Sequence, residues 1–322
     1  MQENKALNIL VIQHGKLGDM ILTFPLFTEL KRLFPDCKLY VLASDFNRIL
    51  PENNPLINRV FSYSRNPFRI ISLFAQLKSN FFDYYIDTKD HYSRTAGKLK
   101  NICRFNKSFG FSNDFYSFDI NLKEYVAGKH AVDINLSPVN YFENDIKSRR
   151  LLPTVNIPDG VHGKFDVYFK DSNKINVLVN ISAGNKIRHW ENEKWIELIN
   201  EISGKADVLL TGYERDKEDL KYIKERASKN NVRLISGRGI PELAEIIRQC
   251  KLVISPDTSI IHLASGFNIP VIGLYNNVEW NLEKFAPLSD LSKVLISDDI
   301  QSITSIKTED VINAYREILK KI

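Results

Sequence analysis

The sequence predicts an α/β protein made of two doubly wound domains. Three observations carry this. Short apolar runs alternate with helical periodicity through most of the 322 residues, the pattern of parallel sheets flanked by helices. Each half contains an apolar run that ends in a polar turn and then opens a helix. These are Ile9-Leu10-Val11-Ile12 leading into residues 13–19, and Leu252-Val253-Ile254-Ser255 leading into residues 256–262. Between the halves, residues 151–173 hold Pro153, Pro158, Gly160 and Gly163 without sustained periodicity and read as a linker. Ligands of open α/β sheets bind at the carboxyl edge of the strands. Two such turns facing each other would make a cleft between two domains.

In chain order, strands are expected at 7–13, 38–43, 57–62, 83–87 and 106–110 in the first half. Residues 19–34 carry Met20, Ile21, Leu22, Leu26, Phe27, Leu30 and Leu33 at helical spacing. Pro25 removes a backbone donor there and predicts a kink or two shorter helices. In the second half, strands are expected at 175–181, 206–211, 231–235, 251–255, 270–275 and 293–297. Helices fit at 191–203, 214–229, 240–249, 258–267 and 309–321. The last of these places Val311, Ile312, Tyr315, Ile318, Leu319 and Ile322 on one face. It reads as a helix packed on the body; the other reading is an amphipathic membrane foot ending in Lys320-Lys321.

Composition narrows the class. Hydrophobic residues make up 43% and charged residues 26%, ordinary for a soluble globular protein. The net charge of +5 is a mild pointer to an anionic partner. Cys37, Cys103 and Cys250 are widely spaced, with no CxxC or Cys/His cluster. That supports neither a zinc site nor a disulfide framework and fits a reducing cytosol. The N-terminal apolar run is too short for a signal peptide, and no stretch nears the roughly 20 apolar residues that span a bilayer. Membrane contact is therefore expected to be peripheral.

Four segments bear chemistry. At 257–262, Asp257 reads as a helix cap, Thr258 and Ser259 add hydroxyls, and His262 falls in the first turn. Unpaired N–H groups and the helix dipole make such a start an anion site; a plain cap followed by a core histidine is the alternative. At 15–19, Gly15 and Gly18 allow tight turns and close ligand approach. Asp19 there is either a helix cap or a general base. Residues 182–190 place Lys186, Arg188 and His189 after a strand, where a cation could neutralise a leaving diphosphate. Residues 94–107 contain Arg94, Lys98, Lys100, Arg104 and Lys107 and no acid. That is either a solvated helix face or a basic wall for an anionic acceptor or membrane. No GxGxxG or GxxxxGK[ST] occurs, which disfavours hydride transfer and P-loop chemistry. No nucleic-acid motif is present.

Taken in order, these residues resemble glycosyltransferase family 9, the ADP-heptose:lipopolysaccharide heptosyltransferases. Ile9-Leu10-Val11-Ile12 with Leu17-Gly18-Asp19 and Thr23-Phe24-Pro25 is similar to the family's first strand, Leu-Gly-Asp turn and Thr-x-Pro helix. Asp87-Thr88-Lys89, Ser93-Arg94 and Phe109-Gly110-Phe111 resemble its middle segment. Arg188-His189-Trp190 looks like its Lys-Arg-Trp, and Asp257-Thr258-Ser259-Ile260-Ile261-His262-Leu263-Ala264 like its Asp-[TS]-Gly-x-x-His-x-Ala. Three departures stand out: Arg188 for lysine, Ser259 for glycine, and Asn276-Asn277 for Gly-Pro.

The resemblance implies a GT-B fold, two Rossmann-like domains facing across a cleft. Residues 1–165 would form the acceptor domain and 166–308 the nucleotide-sugar domain, with a helix at 309–322 that GT-B enzymes commonly return to the first domain. It implies inverting, metal-independent heptose transfer from ADP-heptose to an anionic inner-core lipopolysaccharide, with no cofactor, at the cytoplasmic membrane face. Asp19 would be the base. Ser182, Asn185, Lys186, Arg188, Glu214, Asp216, Asp257, Thr258, Ser259 and His262 would bind the donor, and Gly18, Lys89, Arg94 and Lys98 the acceptor. The alternatives are another nucleotide sugar for a different polysaccharide, or a non-catalytic nucleotide-sugar-binding protein.

Overall fold

The computed structural model describes residues 6–91, 94–115, 117–143, 150–169, 174–227, 231–235 and 237–322. Ser93 of the middle segment lies outside the described residues, and so do the ends of the expected linker and of the helix at 214–229. The chain divides into two units, residues 1–156 and 157–322. The division falls inside the predicted linker, nine residues before the expected domain end at 165.

The first unit holds a six-stranded sheet of β1 (Asn8–Gln13), β2 (Lys38–Ser44), β3 (Arg59–Tyr63), β4 (Phe81–Asp87), β5 (Arg104–Gly110) and β6 (Ile120–Asn121), in the order β3-β2-β1-β4-β5-β6. Its helices are α1 (Leu17–Ile21), α2 (Phe24–Leu33), α3 (Ile49–Glu52), α4 (Pro67–Ser79), α5 (Arg94–Ile102), α6 (Ala131–Asn135) and α7 (Ser137–Phe142). The second unit holds β7 (Ile175–Asn180), β8 (Ala206–Thr211), β9 (Val232–Ile235), β10 (Leu252–Pro256), β11 (Val271–Tyr275) and β12 (Ser292–Ile296), in the order β12-β11-β10-β7-β8-β9. Its helices are α8 (Asn192–Ile202), α9 (Lys217–Arg226), α10 (Ile240–Arg248), α11 (Ser259–Gly266), α12 (Glu279–Phe285) and α13 (Thr308–Leu319).

Every strand pair is parallel. Continuous apolar runs suit this, because crossover helices cover both faces of a parallel sheet. Residues 9–12 of β1 and 252–254 of β10 are fully buried. In each sheet the strand order reverses once, between β1 and β4 in the first and between β7 and β10 in the second. Loops leaving neighbouring strands at such a reversal diverge and open a crevice at the carboxyl edge.

Pro25 has the predicted effect. The helical stretch breaks into α1 and α2, with Thr23 at the break and Pro25 in the first turn of α2, where a missing N–H costs nothing. The sequence reading left β6, α3, α4, α6, α7 and α12 unassigned; all but the 13-residue α4 are short. The last helix is grouped with the second unit by its contacts. The apolar face of α13 packs on α8, β11 and β12 of its own unit and buries Val311, Ile312, Tyr315 and Ile318, so that face is already occupied. The same burial removes the membrane-foot reading.

Candidate functional site

In the first unit the reversal point joins the turn after β1 to the turn after β4. Parallel pairing sets Ile12 opposite Asp87. Gln13 is buried and donates to Thr23 Oγ1 at 3.2 Å and Thr88 Oγ1 at 2.9 Å, while its Oε1 accepts the Gly15 N–H at 3.1 Å. Asn47 donates to the carbonyls of Gln13 and Gly15, both at 3.1 Å. These bonds hold the turn from three sides. Asp19 sits half-buried in the first turn of α1, and its Oδ2 accepts the Lys16 N–H at 2.9 Å. It therefore satisfies one orphan donor of the helix start. A Cβ on Gly15 would collide with Asp19 Oδ2 and lie 2.9 Å from Gln13 Oε1, so glycine is what allows the carboxylate to fold back over the turn.

Two further ionisable groups share this edge. Asp87 is buried; its Oδ1 accepts the Lys89 N–H at 2.9 Å and its Oδ2 has no partner among the described residues. Burial pushes its carboxyl up to about 7, against the opposing pull of the Lys89 N–H and ammonium. His14 Nδ1 is likewise buried without a partner. Burial first, and the Lys89 charge second, bring its imidazole down to about 4. Neither His14 nor Asp87 was singled out for a role by the sequence. The available signal was their position at strand ends flanking the reversal.

In the second unit the reversal joins the turn after β7 to the turn after β10. Arg188 Nη1 lies 2.8 Å from Asp257 Oδ2 and donates to the Asp257 carbonyl at 3.1 Å. Asn281 on α12 donates to the same Oδ2 at 2.8 Å. Arg188 Nε is buried and has no partner among the described residues. Asp257 is therefore not the helix cap expected from the sequence: it faces Arg188, and Thr258 takes the cap, its Oγ1 accepting the Ile260 N–H at 3.3 Å. Asn180 supports that hydroxyl and Ser255 from below, at 3.4 and 2.9 Å. Ser259 is the first residue of α11 and half-buried, and its hydroxyl makes no hydrogen bond among the described residues. His262 is buried one turn on, its ring 6.1 Å from that of Phe285.

The remaining predicted residues separate by role. Ser182 and Asp216 are both buried and hydrogen-bond to each other, and Ser182 Oγ also accepts the Tyr213 N–H at 2.6 Å. Their polar atoms brace the β7 and β8 turns. Asn185 is exposed and shapes its own turn. Glu214 is a surface residue 3.5 Å from Lys217. Gly18 lies in α1, Lys89 stands beside Asp87, and Lys98 is exposed on α5. The side chains of Arg94 and Lys186 lie outside the described residues. Asn180, Ser255 and Asn281 are site residues the sequence reading missed; nothing in a lone buried Asn or Ser announces its partner.

Two parallel sheets of this order, each with a polar turn at its reversal point, define the class of doubly wound α/β proteins that take ligands at the carboxyl ends of their strands. Comparison with known proteins narrows it. The model for "Glycosyltransferase family 9 (heptosyltransferase)" matches residues 70–316. The chain belongs to this family and is a glycosyltransferase. Lipopolysaccharide heptosyltransferase 3 of Escherichia coli K12 is 24% identical, over 94% of this chain and 95% of that protein. The crystal structure of the glycosyl transferase family 9 from Veillonella parvula superposes with a TM-score of 0.84 at 18% identity, covering 98% of each chain. E. coli heptosyltransferase WaaC with ADP does so at 0.77 and 15% identity, over 97% of this chain and all of that one. The fold is thus the GT-B type that the sequence implies, α/β with two Rossmann-like sheets.

Proposed function

We propose that this glycosyltransferase moves heptose from ADP-heptose to an inner-core lipopolysaccharide acceptor, with inversion and without a metal ion. The observation that carries the reading is the placement of Asp19 at one reversal point and the start of α11 at the other. Asp19 accepts the proton of an acceptor hydroxyl as that oxygen attacks the anomeric carbon. The bond to the diphosphate breaks on the opposite face, and a single displacement inverts the centre. Charge growing on the leaving diphosphate meets the N–H groups and Ser259 hydroxyl at the α11 start, with Arg188 beside them. That guanidinium supports the metal-free form of the reading. Lys186 and Asn185 belong to the donor loop; Gly18, Lys89, Arg94 and Lys98 serve the acceptor.

Relatives support the substrate classes by what they are: one is a lipopolysaccharide heptosyltransferase and one is described with ADP. No helix among the described residues is long and apolar enough to cross a membrane. We place the enzyme in the cytoplasm, with transient contact to the inner face of the cytoplasmic membrane. The test is thermal-shift binding against ADP, UDP, GDP and their sugars, followed by transfer assays read by mass spectrometry. Selective stabilisation by ADP and ADP-heptose is expected. Stabilisation by UDP or GDP sugars alone would overturn the donor assignment.

A further inference from the structure

Four large apolar side chains stand exposed together at the carboxyl ends of β2 and β3. Phe46 is 62% exposed, Phe68 81% and Ile71 66%, and Ile49 is exposed beside Phe46. Phe68 and Ile71 are three residues apart in the first turn of α4 and share a face. That helix packs through Leu73 and Leu77 instead, so its first turn adds nothing to the core. Ser44 of β2 pairs with Tyr63 of β3, which brings the two segments side by side. Asp45 ties them further, accepting from Ser62 at 2.5 Å and lying 3.9 Å from Arg69 Nη1.

The surroundings are cationic. Arg48, Arg65 and Arg69 flank the apolar chains. The exposed Lys16 joins them, because Asn47 and Ser44 hold the Gly15 carbonyl at 3.1 and 3.4 Å. Against these stand Asp45 and Glu52. Exposed apolar groups gathered in one place mark a contact surface. Apolar tips with Lys and Arg around them fit a bilayer of negative surface charge: rings dip below the headgroups while cations meet phosphates. Of the two surfaces that the sequence offered for this task, the apolar face of α13 is occupied and the basic stretch at 94–107 has two of its lysines partnered. Lys107 lies over the Tyr141 ring, and Lys100 bonds the Ser117 carbonyl.

We propose that the patch of Phe46, Ile49, Phe68 and Ile71 docks the first unit on an anionic bilayer. This rests on the transferase reading in one respect: the lipid part of the acceptor would lie in that bilayer, and the patch shares the sheet edge that carries Asp19.

The experiment is co-sedimentation of the full-length protein with vesicles of phosphatidylcholine, alone or mixed with phosphatidylglycerol. Binding to the anionic vesicles, weakened by salt, is expected. F68S/I71S and, separately, R65E should each lower it about tenfold. I300S, at an exposed site in the second unit, should leave it unchanged. All three variants should keep the wild-type melting temperature. Absence of binding to anionic vesicles, or binding undiminished in F68S/I71S, overturns the proposal. So does a concentration-dependent self-association that the double variant abolishes, which would make a second copy the occupant. Turnover on a deacylated, water-soluble acceptor separates the two ideas. F68S/I71S should match wild type there; a wild type that binds vesicles but transfers no sugar would sink the transferase reading alone.

Discussion

Arg188 and Asp257 form an ion pair, Nη1 to Oδ2 at 2.8 Å, between the turns that follow β7 and β10. The sequence placed both residues toward the donor. The structure shows that they first answer each other, with Asn281 as a third member. Asp257 is buried and Arg188 mostly so. Removing one partner strands the other's charge, whereas removing both does not. R188A should therefore weaken ADP binding at least about tenfold, because an unmatched carboxylate then faces the diphosphate. R188A/D257A should lose less than the sum of the single variants. R188K should fall between, since an ammonium keeps the charge but not the planar fork. Isothermal titration with ADP reads wild type, R188A, D257A, the double variant and R188K; additive losses would show that the pair is not coupled.

Asp19 is the base in the proposed proton transfer. D19N keeps an acceptor for the Lys16 N–H but cannot take a proton. Turnover should drop by about 10² to 10⁴, while the ADP-induced melting shift stays at the wild-type value. Unchanged turnover removes Asp19 as base.

Gly15 tests the same carboxylate from the backbone side. A methyl group there would collide with Asp19 Oδ2 and press on Gln13 Oε1. The cheapest relief is rotation of the Asp19 side chain away from the Lys16 N–H. G15A should then lower kcat about 10- to 100-fold, the scale of a misplaced catalytic group, with ADP affinity unaltered. Equal kcat in G15A and wild type would mean that the folded-back carboxylate is not the working position.

Strand positions were legible because parallel strands are continuous apolar runs, and Ile9-Leu10-Val11-Ile12 and Leu252-Val253-Ile254 are fully buried. The division of α1 from α2 was legible from Pro25 alone. The two polar turns were legible because they follow from topology: each lies just past a strand beside the reversal point. What escaped was the use to which each polar atom is put. Ser182 and Asp216 are 34 residues apart, and Arg188 and Asn281 are 93 apart. Only the folded chain reveals that the first pair braces two turns, or that Asp257 leaves capping to Thr258. α12 escaped because a helix of seven residues offers too little periodicity to read.

Asp87 and His14 give the first unit a pH signature with two opposed parts. The Asp87 carboxyl moves from 3.8 to about 7 through burial. Between those values the folded protein keeps a proton that the unfolded chain releases. Its contribution to stability is therefore complete below about pH 4 and is lost as pH rises through 7. D87N should remove that decline and be more stable than wild type near pH 8, by about 1–3 kcal/mol once the new amide's lack of a partner is counted. His14 moves from 6.5 down to about 4, chiefly by burial. Here the unfolded chain takes up the proton, so stability is complete above 6.5 and lost as pH falls toward 4. H14Q should flatten that acid limb and leave the neutral limb alone. Thermal melts of the three proteins across this range, taken as differences from wild type, isolate each group. A D87N-minus-wild-type difference that stays constant from pH 4 to 8 would show that Asp87 does not titrate in the folded state as its burial requires.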